Sequence, residues 1–387
     1  MIKAIIGICC FTAPLSAFTN TNGVISALGV RRCNANQISL LSVATDKVEN
    51  SIDLFDKPKW AAGGIVSDLV NALIAFKPLF KLLKIGARKV IMDSAEKKGV
   101  LWRMNAASLK EMSSNVLQDW YEDVEVKDTV YPEYYTQEFH AYDEGNLNWM
   151  AACECESATM AMALRVYPND ELTAIEAQDK LRASILGPIT AYLGRQPNKV
   201  LDIGCSVGVS TFYLAKQYPE ATVIDGIDLC PHFLAVAKHK QKLTLDVAQG
   251  DVRGLDGTGY ALEDVRQLAE SSVSRIRWIH GNAEATCLPD NEYDIVPATF
   301  VFHELPSLAS STIIEEMYRI TAPGGVVAIT DNDPRSAVIK NLPPAIFAMM
   351  KSTVRFFRLL LLFTAILSKL YILFFSAPSR CLSLRFE

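Results

Sequence analysis

The sequence lacks the patterns of a metal site, a disulfide framework or a nucleic-acid surface. Its nine cysteines are an odd number, and none stands in a paired metal spacing. The net charge is -5, and no stripe of Lys and Arg is present to neutralise a phosphate backbone. No Asn-x-Ser/Thr site occurs either, which argues against a glycosylated surface protein. The cysteine pattern therefore favours a reducing compartment, and the lack of a basic stripe favours a small-molecule partner.

Two of the cysteines, Cys153 and Cys155, form a C-x-C within a helical pattern. Residues two apart on a helix point about 200° apart, so the two thiols are poorly placed to share a metal. We predict small core residues here and no metal site.

The first 45 residues have the composition of a targeting segment. Residues 1–17 carry Lys3, an apolar run and small residues before Phe18, which is the layout of a secretory signal. Residues 18–45 contain no Asp or Glu, as in an organelle transit peptide. The join resembles the bipartite plastid presequence of algae with secondary plastids, in which an aromatic residue follows the cleavage point. We predict a plastid protein, the alternative being a secretory signal followed by a disordered terminus.

The remaining chain divides into a helical amino-terminal region and cap at 46–195, a ligand-binding domain at 196–353 and an apolar tail at 354–387. Within the first of these, Asp53 to Leu117 combines apolar residues at helical spacing with interleaved Lys and Arg. Such a basic amphipathic stretch lies on a membrane or packs on the domain with a solvated basic side. Tyr131 to Tyr167 is predicted to form a loop and a helix that cap the domain.

From Lys199 onward, strands and helices alternate regularly. The predicted strands are 199–204, 221–228, 276–281, 293–300 and 325–331, with helices at 208–218, 231–242 and 310–320. Short, nearly continuous apolar strands are typical of a parallel sheet covered on both faces, so the fold class is α/β, doubly wound and Rossmann-like. Thr244 to Ser274 is polar and is predicted to be a surface excursion.

The first strand breaks into a glycine turn, Asp202-Ile-Gly204-Cys-Ser206-Val-Gly208. Glycine permits the close backbone approach that a bound nucleotide needs, and Asp228 follows a second strand at the distance that suits a ribose hydroxyl. A dinucleotide fingerprint would have glycine in place of Ser206. This departure argues against a dehydrogenase.

This turn resembles the first motif of the class I S-adenosylmethionine-dependent methyltransferases, acid-x-Gly-x-Gly-x-Gly. Later landmarks of that family follow in order: Asp228, Asn282-Ala-Glu284, Tyr293-Asp-Ile-Val296 and Arg319-Ile-Thr-Ala-Pro-Gly-Gly325. The resemblance implies S-adenosylmethionine as cofactor and a small-molecule methyl acceptor.

By the same resemblance, the methionine part would lie on Asp202 and the turn, the ribose on Asp228, and the adenine beside Asn282, Ala283 and Glu284. The full implied cofactor set is Asp202, Gly204, Cys205, Ser206, Gly208, Asp228, Leu229, Asn282, Ala283, Glu284 and Phe300. For catalysis, His303 is placed to take a proton or to shape the pocket, and His140 is a second candidate on a loop.

More closely, Tyr131–Ala163 and Val200–Thr353 resemble a plant and algal plastid-type group of methyltransferases, and more distantly the ubiquinone and menaquinone methyltransferases. Two departures stand out. Pro297 falls in the fourth strand, where it marks an early strand end or a bulge. The run Leu359–Phe375 is almost wholly apolar and is predicted to replace the last strands by a helix.

That apolar helix is either a membrane anchor, a cover for the sheet edge or an aberrant terminus. The first function hypothesis is methyl transfer to a small apolar metabolite such as a quinone, terpenoid or pigment precursor. The second is a catalytically silent, membrane-associated protein that retains the fold as a binding scaffold.

Overall fold

The computed structural model describes residues 77–137, 142, 144–255, 262, 265–266, 273–332, 370–376 and 384–386. The predicted targeting segment, residues 53–76 of the amphipathic stretch and His140 lie outside these residues. Five helices come first: α1 Lys77–Glu96, α2 Trp102–Met112, α3 Val116–Val124, α4 Trp149–Val166 and α5 Ala174–Leu193, with a 3-10 helix at Glu133–Thr136.

The sheet region follows, and the alternation of strands and helices is as predicted. Its elements are β1 Lys199–Ile203, α6 Val209–Gln217, β2 Val223–Asp228, α7 Pro231–Ala248, β3 Ile276–His280, β4 Tyr293–Thr299, α8 Ser307–Ile320, β5 Thr321–Asn332, β6 Leu370–Ser376 and β7 Leu384–Phe386.

The strand order is β3-β2-β1-β4-β5-β6-β7. The pairings among β1 to β5 are all parallel, which confirms the predicted Rossmann-like α/β class. The order reverses between β1 and β4, and ligands of open α/β sheets bind in the crevice at the carboxyl ends of the strands at such a point. The candidate site is therefore expected where β1 and β4 end.

Both faces of the sheet are buried, because successive strand residues point to opposite sides. On β1, Val200 belongs to the cluster that contains α5 and α6, whereas Leu201 belongs to the cluster that contains α8. Ile295 and Val296 on β4 divide in the same way. The continuous apolar pattern of these strands is thus explained by a core on each side.

Helix α7 is longer than predicted, because it ends at Ala248 where the sequence pattern suggested residue 242. Leu243 and Val247 are buried one turn apart and continue the inward face of the helix. The predicted polar excursion therefore begins only after this helix.

Pro297 neither ends nor bulges β4, and this prediction was wrong. The strand continues to Thr299, and Pro297 pairs with Ala328 of β5. The pairs of β4 with β1 fall at Ile295 and Ala298, on either side of the proline. The proline is therefore accommodated where the β1–β4 ladder has a gap, so that its missing N–H is not needed there.

The predicted apolar helix in place of the last strands is also wrong over the part of the tail that the structure describes. Leu370–Ser376 is strand β6, which pairs antiparallel with β5 from Val326↔Ser376 to Asn332↔Leu370. A short apolar run rich in aromatic and β-branched residues suits a buried strand as well as a helix. Across the described residues, none of the helices is long and apolar enough to span a bilayer.

Candidate cofactor site

The turn after β1 adopts the left-handed backbone that its glycines predict. Gly204 has φ +64° and Gly208 has φ +81°. A Cβ on Gly204 would lie 2.7 Å from Val301 Cγ2, and one on Gly208 would lie 2.5 Å from Trp278 Cη2. Neither position therefore admits a side chain unless Val301 or Trp278 moves, and the turn Gly204–Gly208, here called the cradle, ends β1 at the carboxyl edge of the sheet.

Ser206 occupies the centre of this cradle at φ +51°, a conformation that costs a non-glycine residue about 1 kcal/mol. Its N–H donates to Asp228 Oδ2 at 2.8 Å, so the strained residue joins the ends of β1 and β2. Its hydroxyl lies 3.1 Å from the Cys155 thiol on α4. Cys155 is thus a neighbour of the cradle, whereas Cys153 is a buried core residue as predicted.

Asp228 is fixed at the carboxyl end of β2. Besides the Ser206 contact, the Cys230 N–H donates to Oδ1 at 2.8 Å. Burial raises the pKa of Asp228 to about 6, while the backbone N–H groups, including that of Leu229, lower it. The hydrogen bonds from Ser206 and Cys230 leave about two of the four acceptor positions of a carboxylate, which is enough for the two hydroxyls of a diol.

Asp202 lies deeper, at 1% exposure, and accepts a hydrogen bond from the Thr211 hydroxyl at 2.7 Å. Burial raises its pKa to about 7, an effect that Thr211 and the positive charge of Arg182 oppose. The next cradle residue after Gly204, Cys205, is buried, and its N–H donates to Ile227 O on β2.

The segment after β3 lies beside Asp228, because Gly281 N donates to Asp228 O at 3.0 Å. Here Asn282 Oδ1 accepts from Glu284 N at 2.9 Å, which shapes the turn that carries Ala283. Glu284 Oε1 in turn accepts from the Tyr134 hydroxyl at 2.8 Å. The three residues predicted to face adenine are thus adjacent to the predicted ribose ligand.

The end of β4 completes this edge. Phe300 has φ +60°, its N–H donates to Thr330 O at 2.7 Å, and its ring lies 5.7 Å from the Arg182 guanidinium. Val301 follows and packs on the cradle at Gly204. The chain after β4 therefore closes the crevice opposite Asp228.

His303 lies in the 3-10 turn that follows and is 9% exposed. Asp331 at the end of β5 binds it twice, accepting from the backbone N–H at 2.9 Å and lying 2.8 Å from Nδ1. Burial alone would lower the pKa of His303, but the carboxylates of Asp331 and Glu304 raise it to about 9. At neutral pH this imidazole is cationic and suits a proton donor or anion partner better than a resting base.

Amino-terminal segments contact the same edge. Asn146 Nδ2 donates to Glu304 Oε2 at 3.2 Å, and Cys230 Sγ donates to Asn146 O. Part of the basic face of α1 also points inward, because Arg88 forms an ion pair with Glu154 of α4, which is 4% exposed. These contacts bring the 146 loop to the site and pack α1 on α4.

Four residues at this site were absent from the sequence prediction: Cys155, Arg182, Tyr134 and Asp331. Asp331 had a usable signal, because it is an acid at the end of a predicted strand, as Asp228 is. The other three lie on amino-terminal elements, and no spacing to the glycine turn identifies them. In the parts of the chain that the structure describes, no group of three or more His, Cys, Asp or Glu is arranged for a metal.

Comparison with known families agrees with this geometry. Residues 200–258 and 242–329 match two family models, each described as a methyltransferase domain. Together they run from the start of β1 into β5 and include the cradle, Asp228 and His303. This part of the chain is therefore similar to methyltransferase domains.

Two relatives share part of the sequence. The demethylmenaquinone methyltransferase of Bacillus licheniformis is 36% identical over 143 residues, which are 37% of this chain and 48% of that protein. The demethylmenaquinone methyltransferase of Geobacillus stearothermophilus is 26% identical over 193 residues, or 50% and 65% of the two chains. The matched region thus spans about half to two thirds of these relatives.

Among solved structures, phosphoethanolamine N-methyltransferase 2 of Haemonchus contortus in complex with S-adenosyl-L-methionine is 20% identical. The match covers 46% of this chain and 33% of that one, with a TM-score of 0.30. A likeness at this level carries no information about the acceptor.

Proposed function

We propose that the chain is an S-adenosylmethionine-dependent methyltransferase that acts on a small apolar acceptor of the quinol, terpenoid or pigment-precursor class. The observation that carries the proposal is the position of the cradle beside Asp228 at the point where the strand order reverses. Asp228 is positioned by two backbone N–H groups and can accept both hydroxyls of a ribose.

The cofactor supplies an activated methyl group on a sulfonium, so the protein's task is alignment and exclusion of water. The cradle and Asp228 hold the donor, and Asn282, Ala283 and Glu284 border the adenine. His303, held by Asp331, presents a cation at the crevice. There it stabilises an acceptor hydroxyl in its anionic form, which is the form that reacts with a methyl donor.

Three tyrosines favour an aromatic or apolar acceptor. Tyr131 stacks on Tyr135 with ring centroids 6.4 Å apart, and Tyr134 reaches Glu284. Burial raises the pKa of Tyr135, and the negative charges of Asp228 and Glu304 raise it further, so its phenol lies near both carboxylates. Tyr134 and Tyr135 therefore border the site, with Tyr131 stacked behind them, and the named substrate of the two bacterial relatives is also a quinone.

Donor binding is tested by titrating the full chain with S-adenosylhomocysteine in a calorimeter. Asp228→Ala removes the ribose acceptor and is expected to weaken binding by about 100-fold, since a hydrogen bond to a charged group contributes about 1.5–3 kcal/mol. Asp251→Ala, on an exposed carboxylate paired with Arg253, is the control and should bind like the wild type. Wild-type protein that binds no S-adenosylhomocysteine would refute the function.

The acceptor class is tested with S-adenosylmethionine labelled on the methyl group. The full chain is incubated with demethylmenaquinol, with a hydroxylated terpenoid and with phosphoethanolamine as a polar amine. Label in the organic phase with either apolar acceptor supports the class, and label on phosphoethanolamine alone contradicts it.

We further propose a plastid location, supported by the composition of residues 1–45. A fluorescent protein fused behind these residues and expressed in an alga with secondary plastids should enter the plastid, and Phe18→Ala should hold it outside. Secretion of the unmodified fusion would show an ordinary secretory signal.

A further inference from the structure

An indole on β3, the strand at one end of the described sheet, reaches across β2 to the cradle. Trp278 pairs with Gly226 of β2, which pairs with Asp202 of β1, so the three residues form a row across the sheet. A Cβ on Gly226 would lie 3.0 Å from both Cε3 and Cζ3 of Trp278, and one on Gly208 would lie 2.5 Å from Cη2. The indole therefore lies over the glycine of β2, and its far end contacts the cradle at Gly208.

Gly226 is a glycine for reasons of space and not of backbone conformation. It lies within β2, and its φ is outside the left-handed region, so the backbone there would accept other residues. A Cβ at this position would meet the indole and, at 2.9 Å, the Cys205 sulfur. Glycine inside a strand often marks a place where another group approaches closely. Here that group is the indole of Trp278, which crosses β2 through this gap.

Helix α7 fixes the orientation of the indole. Trp278 Nε1 donates to Gln241 Oε1 at 2.7 Å. Gln241 Nε2 in turn donates to the carbonyl oxygens of Val273 and Ile276, at 2.7 and 3.0 Å, so the amide itself cannot turn freely. Phe212 of α6 packs edge to face on the indole, with ring centroids 5.8 Å apart. The ring is thus held by its N–H on one side while its opposite end contacts the cradle.

We infer that Trp278 is a positioning residue for the donor, because its indole holds Gly208 and the amino end of α6 in the conformation that binds S-adenosylmethionine. This inference rests on the proposed function. Gly208 is the N-cap of α6 at φ +81°, and a glycine has many other accessible conformations, so a rigid neighbour is needed to select this one. The same strand leads into Asn282, Ala283 and Glu284, so β3 supports both the cradle and the adenine border.

The first test compares two tryptophans that pack in the same core cluster. Trp278→Leu shortens the side chain and should weaken S-adenosylhomocysteine on the order of 10-fold in calorimetry with the full chain, since the ligand must then order the cradle. Trp102→Leu removes an indole of α2 that is 4% exposed. It should lower the melting temperature at least as much, because this indole is more fully buried, and leave binding within about twofold.

Two results of this comparison overturn the inference: Trp278→Leu binds S-adenosylhomocysteine like the wild type, or both variants lose the same affinity. Wild-type protein that binds no S-adenosylhomocysteine overturns the proposed function instead.

The second test uses the contact between the indole and the cradle. Gly208→Ala places a methyl group 2.5 Å from Trp278 Cη2 and should weaken S-adenosylhomocysteine on the order of 100-fold. With Trp278→Leu in the same chain, the methyl group has room, so the further loss should fall to about 10-fold, the cost of a left-handed alanine. Gly204→Ala, whose methyl group meets Val301, is the matched control and should cost the same with either residue at 278. A Gly208→Ala loss that is also the same with either residue overturns the inference.

If Trp278→Leu does not fold, Gln241→Leu gives the same test with the indole retained. It removes the hydrogen bond that orients the ring and should weaken S-adenosylhomocysteine about 3-fold. The penalty of Gly208→Ala should fall in this variant as well, because the freed ring can move away. Gln118→Leu, on a glutamine of α3 that bonds to Glu122, is the control and should change neither value. A Gln241→Leu variant that keeps both wild-type values overturns the inference.

Discussion

The contact between His303 and Asp331 joins the turn after β4 to the end of β5, and it connects the stability of that edge to pH. The ordinary pKa of histidine is about 6.5, and Asp331 helps to raise that of His303 to about 9. A group whose folded pKa is raised stabilises the protein fully below its unfolded pKa and loses this contribution as pH rises through the folded pKa.

We therefore expect Asp331→Asn to be less stable than the wild type at pH 6, by on the order of 3 kcal/mol, and the gap to shrink between about pH 6.5 and pH 9. Urea unfolding of both proteins at pH 6, 7.5 and 9 measures this. Because Glu304 remains in the variant, a difference between the two proteins reports on Asp331. A gap that does not change with pH would show that His303 does not titrate as described.

Single residues also show which parts of the site a sequence reveals. Asp228 was predictable, because it ends a strand at a fixed distance from a glycine turn. The turn was predictable as well, because its left-handed backbone at Gly204 and Gly208 favours glycine. Arg182 was not predictable, because it lies on the helix before the sheet and reaches Ser210 only through packing. The conformation of Ser206 was equally hidden, since a serine in a left-handed turn has no sequence signal.

At the scale of elements, the 3-10 helix Glu133–Thr136 is the clearest link between the amino-terminal region and the cofactor edge. Tyr134 donates from this helix to Glu284, beside the predicted adenine position. This hydrogen bond, 2.8 Å long, links the position of the 3-10 helix to that of the Glu284 carboxylate in the turn after β3. Cofactor binding should therefore depend on Tyr134 of this helix.

Tyr134→Phe removes only that hydroxyl and is expected to weaken S-adenosylhomocysteine by about 3- to 10-fold, because Glu284 loses its fixed position. Calorimetry with the full chain measures the effect. The control is Tyr318→Phe on α8, a tyrosine that is 38% exposed. Unchanged binding in Tyr134→Phe would mean that the helix does not take part in holding the donor.

The types and lengths of the elements were predictable where both faces of a strand are buried. They were less predictable at the end of helix α7 and in the carboxyl-terminal tail. The parallel strands and their intervening helices were identified because their apolar runs are short and separated by turn residues. The run that contains β6 was misassigned, because its length suggested a helix while its pairing with β5 depends on a partner strand about forty residues earlier. Nothing local distinguishes the two outcomes.

At the scale of the molecule, the two structural arguments for a silent scaffold no longer hold. They were a fourth strand interrupted at Pro297 and a sheet without its last strands. The fourth strand instead runs through the proline, and β5 pairs with β6, which pairs with β7. Over the described residues, the sheet therefore continues beyond β5, and neither of these two arguments for a silent scaffold remains.

The same pairing makes the described part of the tail, β6 and β7, a part of the sheet. Seven residue pairs join β5 to β6, and β5 carries Asp331, the partner of His303. A chain that ends at Thr353 would leave β5 as an unpaired edge, which destabilises the sheet and invites association of copies through that edge. We expect this chain to unfold several degrees lower than the full chain and to elute as larger species in size-exclusion chromatography.

A full-length variant distinguishes the effect of strand pairing on stability from the effect of losing apolar residues. Ile372 pairs with Thr330 in the middle of β6, and Ile372→Pro fixes φ and removes an N–H within this paired strand. It should lower the free energy of unfolding by at least about 2 kcal/mol more than Ile372→Ala, which keeps the donor. If the truncated chain and Ile372→Pro both melt like the wild type, the tail adds nothing to the sheet. A melting temperature lowered in both, together with weaker S-adenosylhomocysteine binding, would show that the edge strands support the site through β5.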